Sequence, residues 1–183
     1  MPKKYIGLVG EGGGGKDTVA KILEEKYNAA ILTSSILLKR ALGVFLDEIG
    51  RHDYIWFVQK LTERYGDDII SKAMIKSMHQ SESEIVVFNG MRLPSDYEFL
   101  KREGSHVIYV TADPRVRWER ISKRGQKADD AAPFEEFMKM AVSKTEKDIP
   151  EIGSKADYRI ENNGTLEELQ KQTDDVMKEI LNK

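Results

Sequence analysis

The chain has 183 residues, a formal net charge of −2 and a sequence pI near 6.0; this length fits one domain, residues 1–183, with a sizeable core. The near-neutral charge argues against nucleic-acid binding, and the absence of cysteine excludes disulfides, zinc–thiolate sites and thiol catalysis. Because no apolar run suits a signal peptide or a membrane span, we expect a cytoplasmic protein without membrane partners. We also expect a monomer or a weak homodimer.

Short apolar runs alternate with helix-like segments along the chain. The strands are predicted over 5–9, 29–33, 85–88, 107–110 and 158–161. The helices are predicted over 16–27, 36–49, 54–65, 68–78, 95–103, 114–124, 133–147 and 166–181. This alternation is typical of an α/β fold in which a five-stranded parallel sheet is flanked by helices. Because ligands of such folds bind at the carboxyl ends of the strands, the segments after each strand are the candidate site.

The loop after the first predicted strand has the pattern of a phosphate-binding loop. Residues 10–18 read G-E-G-G-G-G-K-D-T and fit G-x-x-x-x-G-K-[S/T] except at Asp17. Glycines let backbone N–H groups converge on a phosphate chain, and the following helix presents its positive dipole end. A flexible linker, the alternative, would not lie between an apolar strand and a helix. The predicted nucleotide-binding residues are Gly10, Gly12, Gly13, Gly14, Gly15, Lys16, Asp17 and Thr18.

Asp17 stands where the pattern has Ser or Thr, whose hydroxyl ordinarily ligates Mg²⁺. A carboxylate beside phosphates is tolerable when Mg²⁺, or a Mg²⁺-bound water, lies between them. Thr18 is a poor substitute because one step along a helix turns the side chain by about 100°. We therefore expect ATP and Mg²⁺ as cofactors, with Asp17 at the metal and Lys16 at the β- and γ-phosphates.

Two later stretches extend the pattern beyond the loop. Residues 86–92 read V-V-F-N-G-M-R, and residues 113–125 read D-P-R-V-R-W-E-R-I-S-K-R-G. These stretches resemble the archaeal-type dephospho-CoA-kinase-like nucleotide kinases, which are relatives of adenylate and CMP kinases. The similarity continues through 129–130, 134–137, 156–158 and 163–168. It implies a P-loop NTPase three-layer fold with a helical acceptor-binding region at 36–80 and a lid at 124–133.

The residues K-D-T of the loop carry a second resemblance. They are similar to those of bacteriophage deoxynucleoside monophosphate kinases and of animal-type phosphomevalonate kinases. Residues 34–42, S-S-I-L-L-K-R-A-L, also resemble a P-L-K-x-A-L element of the phage enzymes. Both resemblances imply phosphoryl transfer to a small phosphate acceptor, and they differ in the acceptor that they imply.

Three arginines share one face of the helix predicted over 114–124. Arg117, Arg120 and Arg124 stand three and four residues apart, and guanidinium groups are flat, bidentate donors for phosphate oxygens. The alternative is that these arginines form an ordinary basic surface that is exposed to solvent. Because this face ends at the implied lid, we predict that Arg120 and Arg124 act in catalysis with Lys16. For Arg117 the sequence leaves two roles open, a contact to phosphate and a structural role.

The acceptor side is predicted from the strand end at 89–92 and from the helical region. Arg92, rather than being an ordinary surface arginine, is expected to bind the acceptor's phosphate. Asn89 is also expected to bind the acceptor. It replaces the acid of the resembled family with an amide, which can hydrogen-bond a water or a base but carries no charge, and we expect Asp17 to compensate for the missing charge. Lys39 is expected to contact the acceptor, although a surface lysine has the same appearance in sequence. Trp56, with its aromatic neighbours, is assigned to the core.

These expectations combine in an ATP- and Mg²⁺-dependent kinase that transfers the γ-phosphoryl group to a (deoxy)nucleoside monophosphate. The absence of a carboxylate at position 89 favours an acceptor that is already a phosphate, because such an acceptor needs no general base. Three alternatives stay open. The first is the phosphorylation of a hydroxyl group, as on dephospho-CoA, and the second is an ATP-binding switch or ATPase without a small acceptor. The third is nucleotide binding without catalysis, after a loss of the metal site that Asn89 and Asp17 together would reflect.

Overall fold

A single parallel sheet organises the computed structural model, which describes residues 3–124, 132–140 and 146–182. Its strands are β1 (Lys4–Val9), β2 (Ala30–Leu32), β3 (Ile85–Met91), β4 (His106–Thr111) and β5 (Tyr158–Glu161). They lie in the order β2-β3-β1-β4-β5, and all four pairings are parallel. The predicted fold class, an α/β P-loop fold with a five-stranded parallel sheet, is confirmed.

Helices cover both faces of this sheet. Over the described residues they are α1 (Lys16–Tyr27), α2 (Ser34–Leu42), α3 (Arg51–Tyr65), α4 (Ile69–Gln80), α5 (Pro94–Arg102), α6 (Pro114–Arg124), α7 (Phe134–Met140), α8 (Ile149–Ser154) and α9 (Leu166–Leu181). None of them is long and apolar enough to cross a membrane.

The two faces of the sheet bury two separate apolar clusters. Along β4, Ile108 and Val110 face the cluster formed with α1 and α9, whereas Val107 and Tyr109 face the cluster formed with α4, α5 and α8. Successive side chains of a strand point to opposite faces, so a strand that is covered on both sides is apolar throughout. This double burial explains the short, continuous apolar runs of the sequence.

Several predicted helix bounds differ from the structure, and two helices differ most. The helix predicted over 36–49 begins earlier, because the Thr33 hydroxyl caps it by accepting from Ile36 N, and it ends at Leu42. The helix predicted over 133–147 does not reach its predicted end: α7 spans Phe134–Met140, residues 141–145 lie outside the described residues, and residues 146–148 form a turn. The short helix α8 was not predicted. Pro150 lies in the first turn of α8, where its missing N–H costs no helical hydrogen bond.

The predicted acceptor-binding region, 36–80, contains α2, α3 and α4 between β2 and β3. No residue of α3 is buried, and Trp56 is 58% exposed, so its assignment to the core was wrong. The sequence could not show this because an aromatic residue on an amphipathic helix has the same pattern whether or not another element covers it. Of the predicted lid, 124–133, residues 125–131 lie outside the described residues.

Candidate functional site

The glycine loop, residues 10–15, lies against the carboxyl end of β4 and needs its glycines. A Cβ on Gly10 would come within 2.2 Å of Val110 O, and one on Gly14 within 2.8 Å of the same oxygen. Gly13 and Gly15 have φ of +79° and +99°, a region that side chains disfavour. The loop therefore holds a conformation that glycine permits, as a cradle of backbone N–H groups requires.

Asn162, directly after β5, ties the loop to the sheet. Its Nδ2 donates to Gly14 O at 3.1 Å, and its backbone N donates to Thr111 O at 2.8 Å. A Cβ on Gly15 would come within 2.1 Å of the same Nδ2. Our sequence reasoning missed Asn162, although its place at a strand end was the signal that could have found it.

Lys16, Asp17 and Asn89 meet at the start of α1. Asp17 Oδ1 accepts from Lys16 Nζ at 3.1 Å and from Asn89 Nδ2 at 2.9 Å. Asn89 reaches this point because β3 continues to Met91, beside β1. The two residues that depart from the expected pattern, Asp17 and Asn89, are therefore direct partners.

The pKa of Asp17 is lowered from its ordinary value. Desolvation, the largest contribution, opposes ionisation. It is outweighed by the hydrogen bond from Asn89, by the charge and hydrogen bond of Lys16 and by the charge of Arg124. Asp17 is therefore an anion at neutral pH.

This arrangement fits a magnesium ion that is held mainly by phosphates and water. Asn89 Oδ1 is buried and has no hydrogen-bond partner, so an amide oxygen is available beside the Asp17 carboxylate. The described residues contain no group of three or more His, Asp or Glu side chains that would form a metal cage. Mg²⁺ is ordinarily bound through one or two carboxylates together with substrate phosphates and waters, which matches this donor set.

The three arginines of α6 have different surroundings. Arg117 is 7% exposed, and its Nε donates to Ala112 O at 3.1 Å, so its role is structural. Arg120 contacts the loop, since Nη1 lies 3.5 Å from Gly13 O and Nη2 lies 3.3 Å from Asn162 Oδ1. Arg124 is exposed, and its charge acts on Asp17. Of the predicted catalytic arginines, Arg120 therefore contacts the loop, and Arg124 acts through its charge on Asp17 at the start of α1.

Arg92 meets the glycine loop through a carboxylate that sequence reasoning missed. Glu146 Oε1 accepts from Arg92 Nη1 at 3.4 Å, and Glu146 Oε2 accepts from Gly12 N at 3.5 Å. More than 50 residues separate Glu146 from Arg92, and no strand or glycine pattern marks it. The acceptor residue predicted at position 92 is thus linked to the loop by one side chain.

Arg92 is held by the buried Asp96 at the start of α5. Asp96 Oδ2 accepts from the backbone N of Arg92 at 2.9 Å and of Leu93 at 3.0 Å. Asp96 Oδ1 accepts from Ser71 Oγ on α4 at 2.5 Å. The carboxylate therefore fixes the turn that carries Arg92 and joins it to α4, within the predicted acceptor-binding region.

The remaining predicted residues lie at the margins of the site. Thr18 is exposed on α1. Lys39 lies on α2 beside a surface pocket of about 450 Å³, which is also lined by Ile36, Arg40 and Val44. This pocket is formed by α2 and the turn after it, so the structure does not bring Lys39 together with the loop residues described above.

A family model described as an AAA domain matches residues 6–142. A UPF0200 protein of Sulfurisphaera tokodaii is 32% identical over 180 residues, covering 97% of this chain and 98% of the relative. The chain belongs to the AAA domain family and to the UPF0200 proteins. Another UPF0200 protein, from Methanocaldococcus jannaschii, is 30% identical over 194 residues and covers 97% of this chain and 90% of its own. These names specify no activity.

Solved structures share the fold of this AAA domain protein. Shikimate kinase from Bacteroides thetaiotaomicron has a TM-score of 0.66 at 17% identity, covering 97% of this chain and 98% of its own. Shikimate kinase from Acinetobacter baumannii, in complex with shikimate, has a TM-score of 0.60 at 19% identity, with coverages of 98% and 94%. TT1252 from Thermus thermophilus has a TM-score of 0.64 at 21% identity and covers 98% of both chains. At these identities the likeness establishes a kinase-like P-loop fold.

Proposed function

We propose that this AAA domain protein is an ATP- and Mg²⁺-dependent kinase that transfers the γ-phosphoryl group to a nucleotide-like small molecule. One observation carries the proposal: Arg92, a residue suited to an acceptor's phosphate, and Gly12 of the phosphate-binding loop contact the same carboxylate. A donor site and an acceptor site that meet at one point are what direct phosphoryl transfer requires. A nucleotide switch needs only the loop.

The roles follow from what phosphoryl transfer demands, which is positioning and the neutralisation of charge. The loop amides and Lys16 hold the phosphates of ATP, and Asp17 with Asn89 holds Mg²⁺ and its waters. Bound Mg²⁺ supplies positive charge to the phosphates. Arg120 and Arg124 add charge from α6, and a lid over 124–133 that closes toward the loop is part of the proposal.

We propose a (deoxy)nucleoside monophosphate as the acceptor. Arg92 offers a bidentate guanidinium for its phosphate, and the residue beside Asp17 is an amide, which cannot serve as a general base. A second candidate is a hydroxyl acceptor, as on dephospho-CoA. The carboxylate of Glu146 favours it, since this group lies beside Arg92 and such a reaction benefits from a base.

Formation of ADP from ATP and Mg²⁺ tests the proposal directly. The protein is incubated with a panel of nucleoside monophosphates, deoxynucleoside monophosphates and dephospho-CoA, with shikimate included because the neighbours in fold are shikimate kinases. Lys16→Ala should abolish turnover. Lys21→Ala is the matched control on the same helix, since Lys21 is exposed and pairs only with Glu25 among its recorded contacts.

The outcomes separate the candidate functions. ADP that forms only with one acceptor identifies a kinase and its substrate. ADP that forms equally without any acceptor supports an ATPase or switch, and it contradicts the proposed transfer. Binding of ATP without ADP formation under any condition of the panel also contradicts it.

A further inference from the structure

The Glu146 carboxylate lies between two groups that are suited to bind phosphate. One oxygen is 3.5 Å from Gly12 N of the loop, and the other is 3.4 Å from Arg92 Nη1. The Glu146 side chain is 23% exposed and that of Arg92 is 46% exposed, so water reaches the contact. The carboxylate joins the donor side of the site to the acceptor side.

Both partners of Glu146 are donors of the kind that recognises oxyanions. A backbone N–H of a glycine loop and an arginine guanidinium bind phosphate and carboxylate oxygens alike. An ionised carboxylate is an acceptor-only group with two oxygens, so it can satisfy these donors as two oxygens of a phosphate would. A carboxylate that remained there would repel a bound phosphate through like charge.

We propose that Glu146 is an internal competitor of the substrate phosphates. Its carboxylate occupies an anion subsite formed by Gly12 N and Arg92, and a phosphate group must displace it to bind there. The identification of the displacing group as a phosphate of ATP or of the acceptor rests on the proposed function. Both contacts are at the long end of hydrogen-bond distances, which suits a partner that is exchanged during each cycle.

A glutamine substitution at position 146 tests the effect of the negative charge while the shape of the side chain is kept. Glu146→Gln keeps the side-chain length and one acceptor oxygen but removes the negative charge. We expect ATP, measured by titration calorimetry without Mg²⁺, to bind about two- to five-fold more tightly, the range that corresponds to a partly exposed ion pair. Glu146→Ala should also bind ATP more tightly than the wild type does. Glu151→Gln, which changes an exposed carboxylate on α8 paired with Lys155, should leave the affinity unchanged.

Arg92→Ala tests whether the gain depends on the shared subsite. If Glu146 competes for Arg92 and Gly12 together, the advantage of Glu146→Gln should shrink when Arg92 is absent. Melting temperatures of all variants are compared first, so that a loss of folding is not mistaken for a loss of binding. Glu146→Ala supplies the test if the glutamine variant does not fold.

Unchanged or weaker binding by both Glu146 variants would overturn the inference. A large fall in kcat with unchanged affinity would also overturn it, and it would identify Glu146 as a general base. If wild-type protein does not bind ATP, the proposed function fails, and the titration is repeated with inorganic pyrophosphate. Tighter pyrophosphate binding by Glu146→Gln then supports the anion subsite alone. An unchanged affinity for pyrophosphate contradicts the anion subsite.

Discussion

Asp17 and Asn89 show how two unusual residues form one unit. The first is an anion at the start of α1, beside a loop with the pattern of a phosphate-binding loop, and the second is an amide at a position where the resembled kinases have an acid. The structure joins them by a hydrogen bond of 2.9 Å. Because Asn89 donates to Asp17 Oδ1, its own oxygen is left buried and without a partner. The pair together therefore presents one charged and one neutral oxygen donor.

Removal of the Asp17 carboxylate should affect metal-dependent steps selectively. We expect Asp17→Ala to lower Mg²⁺-dependent kcat by about 100-fold, the scale for the loss of one group that stabilises transition-state charge. Binding of ATP without Mg²⁺ should weaken little, or strengthen, because a negative charge is removed from beside the phosphates. ADP formation and metal-free calorimetry measure the two effects. Glu24→Gln, an exposed change on the same helix, is the control. Equal losses in both measurements would contradict the metal role.

Sequence reasoning proposed those candidate site residues whose position follows from local pattern. The loop glycines, Lys16 and the strand-end residues Asn89 and Arg92 each lie next to a recognisable strand. Glu146 carries no such mark, because its partners are distant in the chain and are brought to it by packing. Asn162 was open to prediction from its place after β5, but an asparagine before a turn is also common where no ligand binds.

At the level of elements, the start of α5 positions Arg92. The buried Asp96 accepts hydrogen bonds from Arg92 N, Leu93 N and Ser71 Oγ. Because Ser71 lies on α4, one carboxylate couples a helix of the predicted acceptor-binding region to the end of β3. The position of the Arg92 guanidinium therefore depends on a side chain that need not touch a substrate.

Asp96→Ala should reduce both stability and acceptor binding. One buried donor, Ser71 Oγ, and two part-buried backbone donors lose their acceptor, so we expect a loss of about 2–4 kcal/mol in the free energy of unfolding. The KM for the acceptor should rise more than the KM for ATP, since the turn that carries Arg92 loosens. Urea unfolding and steady-state kinetics measure the two effects. Glu98→Gln, an exposed change on the same helix, is the control. Equal increases in both KM values would exclude a positioning role.

The contact between α1 and α9 predicts a dependence of stability on alkaline pH. Burial and the hydrogen bond to Asp174 raise the pKa of Tyr27 to about 12. Because this pKa is raised on folding, the phenol's contribution to stability is fully present below the pKa that tyrosine has in the unfolded chain, about 10. The contribution is lost as the pH rises through the folded value. We therefore expect the hydrogen bond to stabilise the fold at neutral pH and to fail between pH 10 and pH 12.

Tyr27→Phe measures this contribution by difference. At pH 8 the variant should be less stable than wild type by about 1 kcal/mol, the scale of a partly exposed hydrogen bond to a charged group. The difference should shrink when urea unfolding is repeated above pH 10. Tyr65→Phe, at an exposed position of α3, should show no difference at either pH. A Tyr27→Phe difference that stays constant or grows with pH would contradict the assignment.

At the scale of the whole molecule, strand order determines which residues meet. β1 lies between β3 and β4, so the glycine loop at its end is surrounded by Asn89 from β3, Thr111 from β4 and Asn162 after β5. The alternation of the sequence predicted the parallel sheet and the edge at which ligands are expected to bind. It did not predict the partners across that edge, because residue spacing determines contacts only within one element.

Because this site draws on the ends of four strands and the start of α1, ligand binding should stabilise the entire fold. A ligand that binds only the folded chain at 100 times its Kd adds about 2.7 kcal/mol. For a domain of this size that gain corresponds to a rise of about 5–10 °C in Tm. We expect ATP with Mg²⁺ to produce this rise in wild type and in Lys21→Ala, as measured by differential scanning calorimetry. Lys16→Ala should show less than half of it, since the lysine that reaches the phosphates is gone. A full rise in Lys16→Ala would place the nucleotide away from the glycine loop.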